Sequence, residues 1–184
     1  GIAMFFLHVD AQTILRQLEQ KDADTLFQLI DKSREYLREW LPWVDDTKTV
    51  NDSVSFIKDT IIAFENGIGL TTGIFYKNQL VGMIGFNVID GRNKIAYIGY
   101  WLAPHYQGKG IITKSTRALI NYGFFNLNLN RVDIRVAYEN RKSRSIPERL
   151  GFKKEGKIRQ AEWLYDHFVD HIIYGILKEE WQNG

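Results

Sequence analysis

The feature that most constrains the fold is an apolar strand that leads through two glycines into a helix. Residues 95–102 are apolar on both faces, as is typical of a central strand covered by helices on both sides. A helix is predicted from Gly108 to about residue 125, and Gly110 falls in its first turn. Backbone N–H groups at a helix start attract anions, and glycine lets a phosphate approach closely. The sequence therefore predicts a candidate anion site at the end of a central strand.

Two glycines alone do not define the site, because they also serve an ordinary strand-to-helix turn. The spacing lacks the Lys-Ser/Thr ending of a nucleoside-triphosphate loop, and it lacks the six-position glycine pattern of a dinucleotide fold. Lys109, between the two glycines, adds positive charge to the loop. Both of these common nucleotide-binding classes are therefore excluded for this loop.

Strands and helices alternate along the rest of the chain. Further strands are predicted over residues 13–18, 70–75, 80–89, 131–136, 156–165 and 168–177. Residues 23–41 are predicted to form a helix or a broken helix pair that Pro42 ends, and Asn51-Asp52-Ser53 is expected to cap another helix. A short helix is predicted between Asn140 and Leu150. This order indicates a mixed α/β sheet with helices on both faces.

Composition and charge exclude several classes of protein. The chain contains no cysteine, which excludes disulfide scaffolds, thiolate zinc sites and cysteine nucleophiles. Its 24 Lys and Arg against 22 Asp and Glu give a net charge of +2, too near neutral for a dedicated nucleic-acid binder. No stretch approaches the roughly 20 apolar residues of a membrane helix, and residues 1–10 lack a signal-peptide pattern. We expect one cytoplasmic domain over residues 4–184, with Gly1-Ile2-Ala3 interpreted as an expression scar.

The chain is rich in aromatic residues, with 5 Trp, 9 Tyr and 11 Phe. Rings in this number fill a core, but they also line ligand channels and interfaces. The apolar loop Leu41-Pro42-Trp43-Val44 either folds onto the core or faces a substrate. If the loop is exposed, it favours a homodimer or a larger assembly that covers it.

Two further motifs lie downstream, Asn140-x-x-Ser143 and Leu150-Gly151-Phe152. Together with Gln107-Gly108-Lys109-Gly110 after a strand that ends in Trp101-Leu102, and in this order, they resemble the GNAT acetyltransferases. The Asn-x-x-Ser spacing and the strand that begins Arg131-Val132 are similar to the branch that acetylates the N-termini of ribosomal proteins (RimJ/RimL type). The resemblance implies the GNAT fold, an α/β fold with a mixed, mostly antiparallel central sheet of about seven strands flanked by helices on both faces.

The resemblance also implies a binding site for acetyl-CoA, without a metal. Backbone N–H groups of the glycine loop would bind the pyrophosphate, and the preceding strand end would pair with the pantetheine arm. Asn140 would hydrogen-bond the pantetheine. The implied cofactor-binding residues are Trp101, Leu102, Ala103, Gln107, Gly108, Lys109, Gly110, Ile111, Ile112, Thr113 and Asn140. Ile112 departs from the Gly or Ala of the family, but backbone donors need no particular side chain, so binding is expected to survive.

Ser143 and Glu162 are the implied catalytic residues. Other branches of the family use a tyrosine acid four residues before Gly151, where this chain has Pro147, so Ser143 is expected to donate to the leaving sulfur. Glu162 matches a glutamate proposed to deprotonate the amine through water, and the alternative is a solvated strand carboxylate. Ser143 or Ser145 is also the expected N-cap of the helix that contains Pro147.

The resemblance implies that the acceptor is the N-terminus of a protein, such as a ribosomal protein. An α-amino group with a pKa near 8 is about one-fifth neutral near pH 7.4, against about 0.1% for lysine, so it asks less of the base than a lysine does. A small amine, such as a polyamine or an antibiotic, is the first alternative, with Asp45-Asp46, Glu35 and Glu39 as candidate carboxylates. A non-catalytic acyl-CoA sensor is the second. In this family, Trp40, Trp43 and Trp163 would fall on segments that shape the acceptor cleft.

Two further patterns stay open to more than one interpretation. Residues 131–159 hold 10 Lys and Arg against 4 Asp and Glu. This segment is a solvated face, or it receives the 3′-phosphate of CoA or an acidic protein partner, whereas RNA is a weaker alternative. His167 and His171 share one face of a strand near Asp166 and Asp170, which we interpret as polar surface rather than a metal site.

Overall fold

Eight strands form one sheet in the computed structural model, which describes residues 4–181. Their order across the sheet is β1-β2-β3-β4-β5-β6-β8-β7. The strands are β1 (Phe6–His8), β2 (Thr13–Arg16), β3 (Leu70–Tyr76), β4 (Gln79–Asp90), β5 (Ile95–Leu102), β6 (Arg131–Ala137), β7 (Lys153–Leu164) and β8 (His167–Leu177). Neighbouring strands are antiparallel except for the parallel pair β5–β6, so the predicted mixed, mostly antiparallel sheet is confirmed. The estimate of about seven strands missed β1, whose three residues are too short to show a period.

Within residues 4–181, five α-helices cover the two faces of this sheet. They are α1 (Ala23–Lys32), α2 (Arg34–Arg38), α3 (Val50–Glu65), α4 (Ile111–Phe125) and α5 (Arg141–Arg149). The first three pack against one face, where Leu26 and Ile57 meet Met83 of β4. The last two pack against the other face, where Leu119 meets the adjacent residue Ile84. Successive residues of β4 therefore serve opposite cores, as a strand covered on both sides requires.

Helix starts are where the predictions were least accurate. The first helices form the broken pair, divided at Ser33. Helix α3 begins after Thr49, whose N–H donates to Asp52 Oδ2 at 2.9 Å, so the predicted Asn51-Asp52-Ser53 cap was two residues late. Helix α4 begins at Ile111 rather than Gly108, because Gly110 adopts a left-handed conformation (φ 75°). Each start is decided by backbone geometry that residue type indicates only approximately.

The parallel pair β5–β6 separates before either strand ends. Its register stops at Ile98 opposite Ile134, yet β5 continues to Leu102 and β6 continues to Ala137. A bulge at Asn87 of β4 shifts the β4–β5 register in the same region. Bulges bend the strand that carries them. The result is a wedge-shaped opening in the sheet beside the carboxyl end of β5.

Candidate active site

Two adjoining cavities occupy this opening. The larger, of about 770 Å³, contains Glu162, and the smaller, of about 190 Å³, contains Gln107 and Ile112 beside the start of α4. Both cavities are lined by Trp40, Leu41, Tyr100, Trp101, Asn140 and Ser143. Ser143 and Asn140 therefore lie between the predicted anion loop and the predicted base.

The start of α4 presents a run of backbone donors. Within residues 4–181, no protein group accepts from the N–H groups of Gly108 to Thr113, because the first turn of a helix has no internal partners. Gly108 and Gly110 have φ of 80° and 75°, which is left-handed backbone that suits glycine. A Cβ at Gly108 would meet no atom within 4 Å. These open donors at a helix start fit the pyrophosphate of a coenzyme.

Gln107 closes the loop onto the end of β5. Its side-chain Nε2 donates to the carbonyl of Leu102 at 3.1 Å, and its backbone N–H donates to Pro104 at 3.4 Å. Ala103 in turn donates to Val81 of β4 at 2.8 Å. The open N–H groups thus begin at Gly108, one residue later than the family resemblance implied, and Gln107 holds the loop in place.

Helix α5 orients Ser143 through its backbone. Asn140 is the N-cap, because its Oδ1 accepts from Ser143 N–H at 3.2 Å, so the prediction of Ser143 or Ser145 as the cap was wrong. Pro147 lies inside the helix and has no N–H to donate to the Ser143 carbonyl four residues earlier. The hydroxyl of Tyr100 takes that place at 2.9 Å, and burial raises the pKa of Tyr100, so this hydroxyl stays a donor.

These contacts leave the functional atoms available. Ser143 Oγ makes no hydrogen bond within the described chain, and neither does Nδ2 of Asn140. Tyr100 of β5 also links the two sides of the opening, because its partner lies on α5. Sequence reasoning missed this tyrosine, although a proline four residues after a candidate serine is a readable sign of a free carbonyl.

Glu162 follows an irregular stretch of β7. The β7–β8 register shifts between Ile158 and Glu162, and Gln160 within the bulge has a φ of 48°. Asp170 Oδ1 accepts from the N–H of Gln160 at 2.7 Å, which holds the bulge to β8. The side chain of Glu162 is 26% exposed and lines the larger cavity, with Oε1 3.4 Å from His171 Nε2. Glu162 is therefore a half-buried cavity residue rather than a solvated strand carboxylate.

The apolar loop Leu41-Pro42-Trp43-Val44 lies between the core and the larger cavity. Val44 is fully buried in the core, whereas the other three residues line the larger cavity. The hydroxyl of Tyr165, in the β7–β8 turn, donates to the Leu41 carbonyl and accepts from Val44 N–H at 3.2 Å. Leu41 and Trp43 are half-buried and Pro42 is exposed, so little of the apolar surface that favoured the predicted homo-oligomer remains open.

Replacing Tyr165 with Phe is expected to lower the free energy of unfolding by about 1–2 kcal/mol, because the variant loses two hydrogen bonds and leaves the Val44 N–H without its partner. Urea denaturation measures this change. Tyr97→Phe is the matched control, since Tyr97 is exposed and its hydroxyl has no hydrogen-bond partner among the described residues. Equal stability of the two variants would contradict the described role of Tyr165.

The larger cavity has aromatic and acidic walls. Trp40 and Trp43 line it as expected, but Trp163 does not; it is 54% exposed and packs edge-on against Phe168. The acidic lining residues are Asp46, Asp52, Asp59 and Glu162, with Arg135 as a cation. Asp52 and Asp59 were not predicted as cavity residues, although their i, i+7 spacing places both on one side of α3.

The candidate carboxylates for a polyamine are not gathered at this cavity. Asp45 pairs with Arg38 at 3.0 Å, which lowers the pKa of Asp45, and Glu35 lines neither cavity. Glu39 lines the smaller cavity, and Asp46 lines the larger one.

Some members of the basic segment form ion pairs, and the two histidines differ in exposure. Within residues 131–159, Arg131 binds Asp133 and Glu155, and Lys157 binds Asp170, whereas Lys142 lines the smaller cavity. His167 lies at the surface, with Nδ1 2.7 Å from Asp166 Oδ1, whereas the side chain of His171 is half-buried. Over residues 4–181 there is no cluster of three His, Cys, Asp or Glu suited to a metal, and no helix there is long and apolar enough to span a membrane.

The fold and the site are those expected of an acyltransferase that binds a coenzyme, and comparison with known proteins identifies the family. The family described as "Acetyltransferase (GNAT) domain" matches residues 12–153, so the chain belongs to the GNAT acetyltransferases.

Particular relatives extend the similarity to nearly the whole chain. YdaF of Bacillus subtilis (strain 168) is 38% identical over 180 residues, which cover 97% of this chain and 98% of YdaF. The ribosomal L7/L12 alpha-N-protein acetyltransferase RimL, solved with coenzyme A, is 28% identical with a TM-score of 0.91, covering 94% and 98% of the two chains. The microcin C7 self-immunity acetyltransferase MccE, solved with acetyl-CoA and AMP, is 34% identical with a TM-score of 0.88, covering 92% and 94%.

Proposed function

We propose that the chain transfers an acetyl group from acetyl-CoA to the α-amino group of a protein N-terminus, with a ribosomal protein in the cytoplasm as acceptor. The observation that carries this proposal is the pair of adjoining cavities, which places Ser143 between the donors of α4 and Glu162. RimL, an alpha-N-protein acetyltransferase of similar structure, supports the choice of acceptor.

Different residues of the chain bind acetyl-CoA and catalyse the transfer. Acetyl-CoA supplies the acetyl thioester. The backbone N–H groups from Gly108 to Thr113 would bind its pyrophosphate, and Nδ2 of Asn140 and the unpaired edge of β5 would bind its pantetheine. Glu162 takes the proton of the acceptor amine, directly or through a water. Ser143 Oγ donates a hydrogen bond to the departing sulfur.

Acidic and aromatic walls suit a cationic acceptor. Asp46, Asp59 and Glu162 attract an ammonium group, and Trp40 and Trp43 contribute ring faces that favour a cation. A volume of about 770 Å³ also has room for several atoms beyond the reacting amine. The proposed acceptor is therefore a chain end rather than a lone amine.

A small amine that carries a nucleotide is the second candidate acceptor. MccE, similar over 92% of this chain, was solved with both acetyl-CoA and AMP. The same two tryptophans of the larger cavity offer faces on which a base stacks.

Thiol release from acetyl-CoA distinguishes these acceptors. The panel contains peptides with free N-termini, the same peptides blocked at the N-terminus, a polyamine, an aminoglycoside and an aminoacyl nucleotide. Release with the free peptides alone supports the proposal, whereas release with the nucleotide alone transfers the assignment to the second candidate. Tight CoA binding without release from any acceptor would overturn catalysis and favour a sensor.

Replacing Gly110 with Ala is expected to weaken acetyl-CoA binding about tenfold, because a side chain at φ 75° strains the loop and displaces its donors. Titration calorimetry with CoA measures the change. Gly156→Ala is the matched control, since a Cβ there meets no atom within 4 Å and the backbone is not left-handed. Unchanged CoA affinity in Gly110→Ala would contradict the proposed pyrophosphate site.

A further inference from the structure

His171 is a half-buried polar residue of the larger cavity that the proposed chemistry leaves without a role. It lies on β8 opposite Ala137 of β6 and Ile158 of β7, and its side chain is 15% exposed. Its Nε2 lies 3.4 Å from Oε1 of Glu162. Its Nδ1 is buried and has no hydrogen-bond partner in the described chain.

The two ring nitrogens of His171 are therefore unequal. A proton on Nδ1 would bury an N–H donor without an acceptor, which costs more than an unpaired ring lone pair. A proton on Nε2 instead donates to the carboxylate of Glu162. Of the two neutral tautomers, the geometry thus selects the one protonated at Nε2, which orients Glu162.

We propose that His171 is a positioning residue for the acetyl transfer. Its Nε2–H holds Oε1 of Glu162, and Oε2, which receives no hydrogen bond from residues 4–181, takes the acceptor's proton. This inference rests on the proposed function, in which Glu162 is the base. A separation of 3.4 Å is long for a hydrogen bond, as catalytic hydrogen bonds often are in the absence of substrate.

The other charged groups near Glu162 and His171 either line the cavity or have partners of their own. Arg135 of β6 lines the same cavity, and Asp46, Asp52 and Asp59 line its other wall. Asp170, the neighbour of His171 on β8, is held by Gln160 N–H at 2.7 Å and Lys157 Nζ at 3.4 Å. His171 is thus the protein donor within hydrogen-bond range of Glu162 among the described residues.

The test compares two amides of different reach. Glutamine places its amide nitrogen near the position of Nε2, whereas asparagine places it near Nδ1. We expect H171Q to keep at least about half of the wild-type kcat and H171N to lose about tenfold. The acid limb of the pH–rate profile of H171N should also move to higher pH, because the ionised carboxylate loses a donor. Equal losses in both variants, or an unshifted profile in H171N, would overturn the proposal.

Further variants separate this inference from the proposed function. The double variant E162Q/H171N should be no slower than E162Q, because His171 acts through Glu162, and an additional tenfold loss would contradict that. H167N, on the same strand, should match wild type. Full activity of E162Q itself would show that Glu162 is not the base. Full activity of H171N beside a slow E162Q would overturn only the role of His171.

A measurement without any acceptor tests the tautomer directly. Nitrogen NMR of the histidine rings should show a proton on Nε2 of His171, assigned by its loss in H171N. A ring protonated at Nδ1 alone would overturn the proposed hydrogen bond to Glu162.

Discussion

Replacing Glu162 with Gln should lower kcat about a hundredfold and remove the acid limb of the pH–rate profile. The amide has nearly the same shape as the carboxylate but cannot take a proton, so only general-base catalysis is lost, an effect of about 10²–10⁴. Glu162 lines the larger cavity, and the bulge that precedes it aims its side chain there. Steady-state rates across pH, with acetyl-CoA saturating, measure the effect.

Glu65 provides the matched control for this prediction. Glu65→Gln changes an exposed carboxylate at the end of α3, outside both cavities, and should leave the profile unchanged. Wild-type kcat and an unshifted profile in Glu162→Gln would make Glu162 a bystander.

Replacing Ser143 with Ala should lower kcat by tens of fold while CoA affinity changes little. The Ser143 backbone is held by Asn140 and Tyr100, so removing Oγ leaves the helix in place. The loss is that of a hydrogen bond made to charge that develops on the sulfur, which stabilises the transition state more than the bound substrate. Turnover and CoA titration on the same samples separate the two effects.

Ser145 provides the matched control on the same helix. Its Oγ donates to the Lys142 carbonyl at 2.6 Å and lines neither cavity. Ser145→Ala should therefore turn over at the wild-type rate. Equal rates for Ser143→Ala and wild type would remove Ser143 from the mechanism, and a large loss of CoA affinity would assign it to binding instead.

The central strand β5 and the two glycines that follow it were the part of the fold that sequence predicted best. Continuous apolarity over β5 indicates burial on both faces, and glycine is the residue that tolerates the left-handed backbone found at Gly108 and Gly110. Both are local properties. The broken helix pair α1–α2 and the central strands are local in the same way, since each has a period that residue types reveal.

Features that depend on contacts between distant segments were not predictable from sequence. The opening between β5 and β6, the donation from Tyr100 to Ser143 and the turn hydrogen bonds of Tyr165 join residues far apart in the chain. Trp163 was expected at the acceptor cleft, but alternation along β7 places it on the opposite side from Glu162. A bulge decides which residues of a strand face the cavity, and residues 158–162 contain no glycine that would indicate the bulge before Glu162.

The proposed function is tested by the position of the acetyl group on a peptide that carries both a free N-terminus and a lysine. After incubation with the protein and acetyl-CoA, fragmentation mass spectrometry locates the added group. We expect acetylation of the α-amino group alone, lost in Glu162→Gln. Acetylation of the lysine, or a peptide left unmodified while the nucleotide-bearing amine is acetylated, would contradict it.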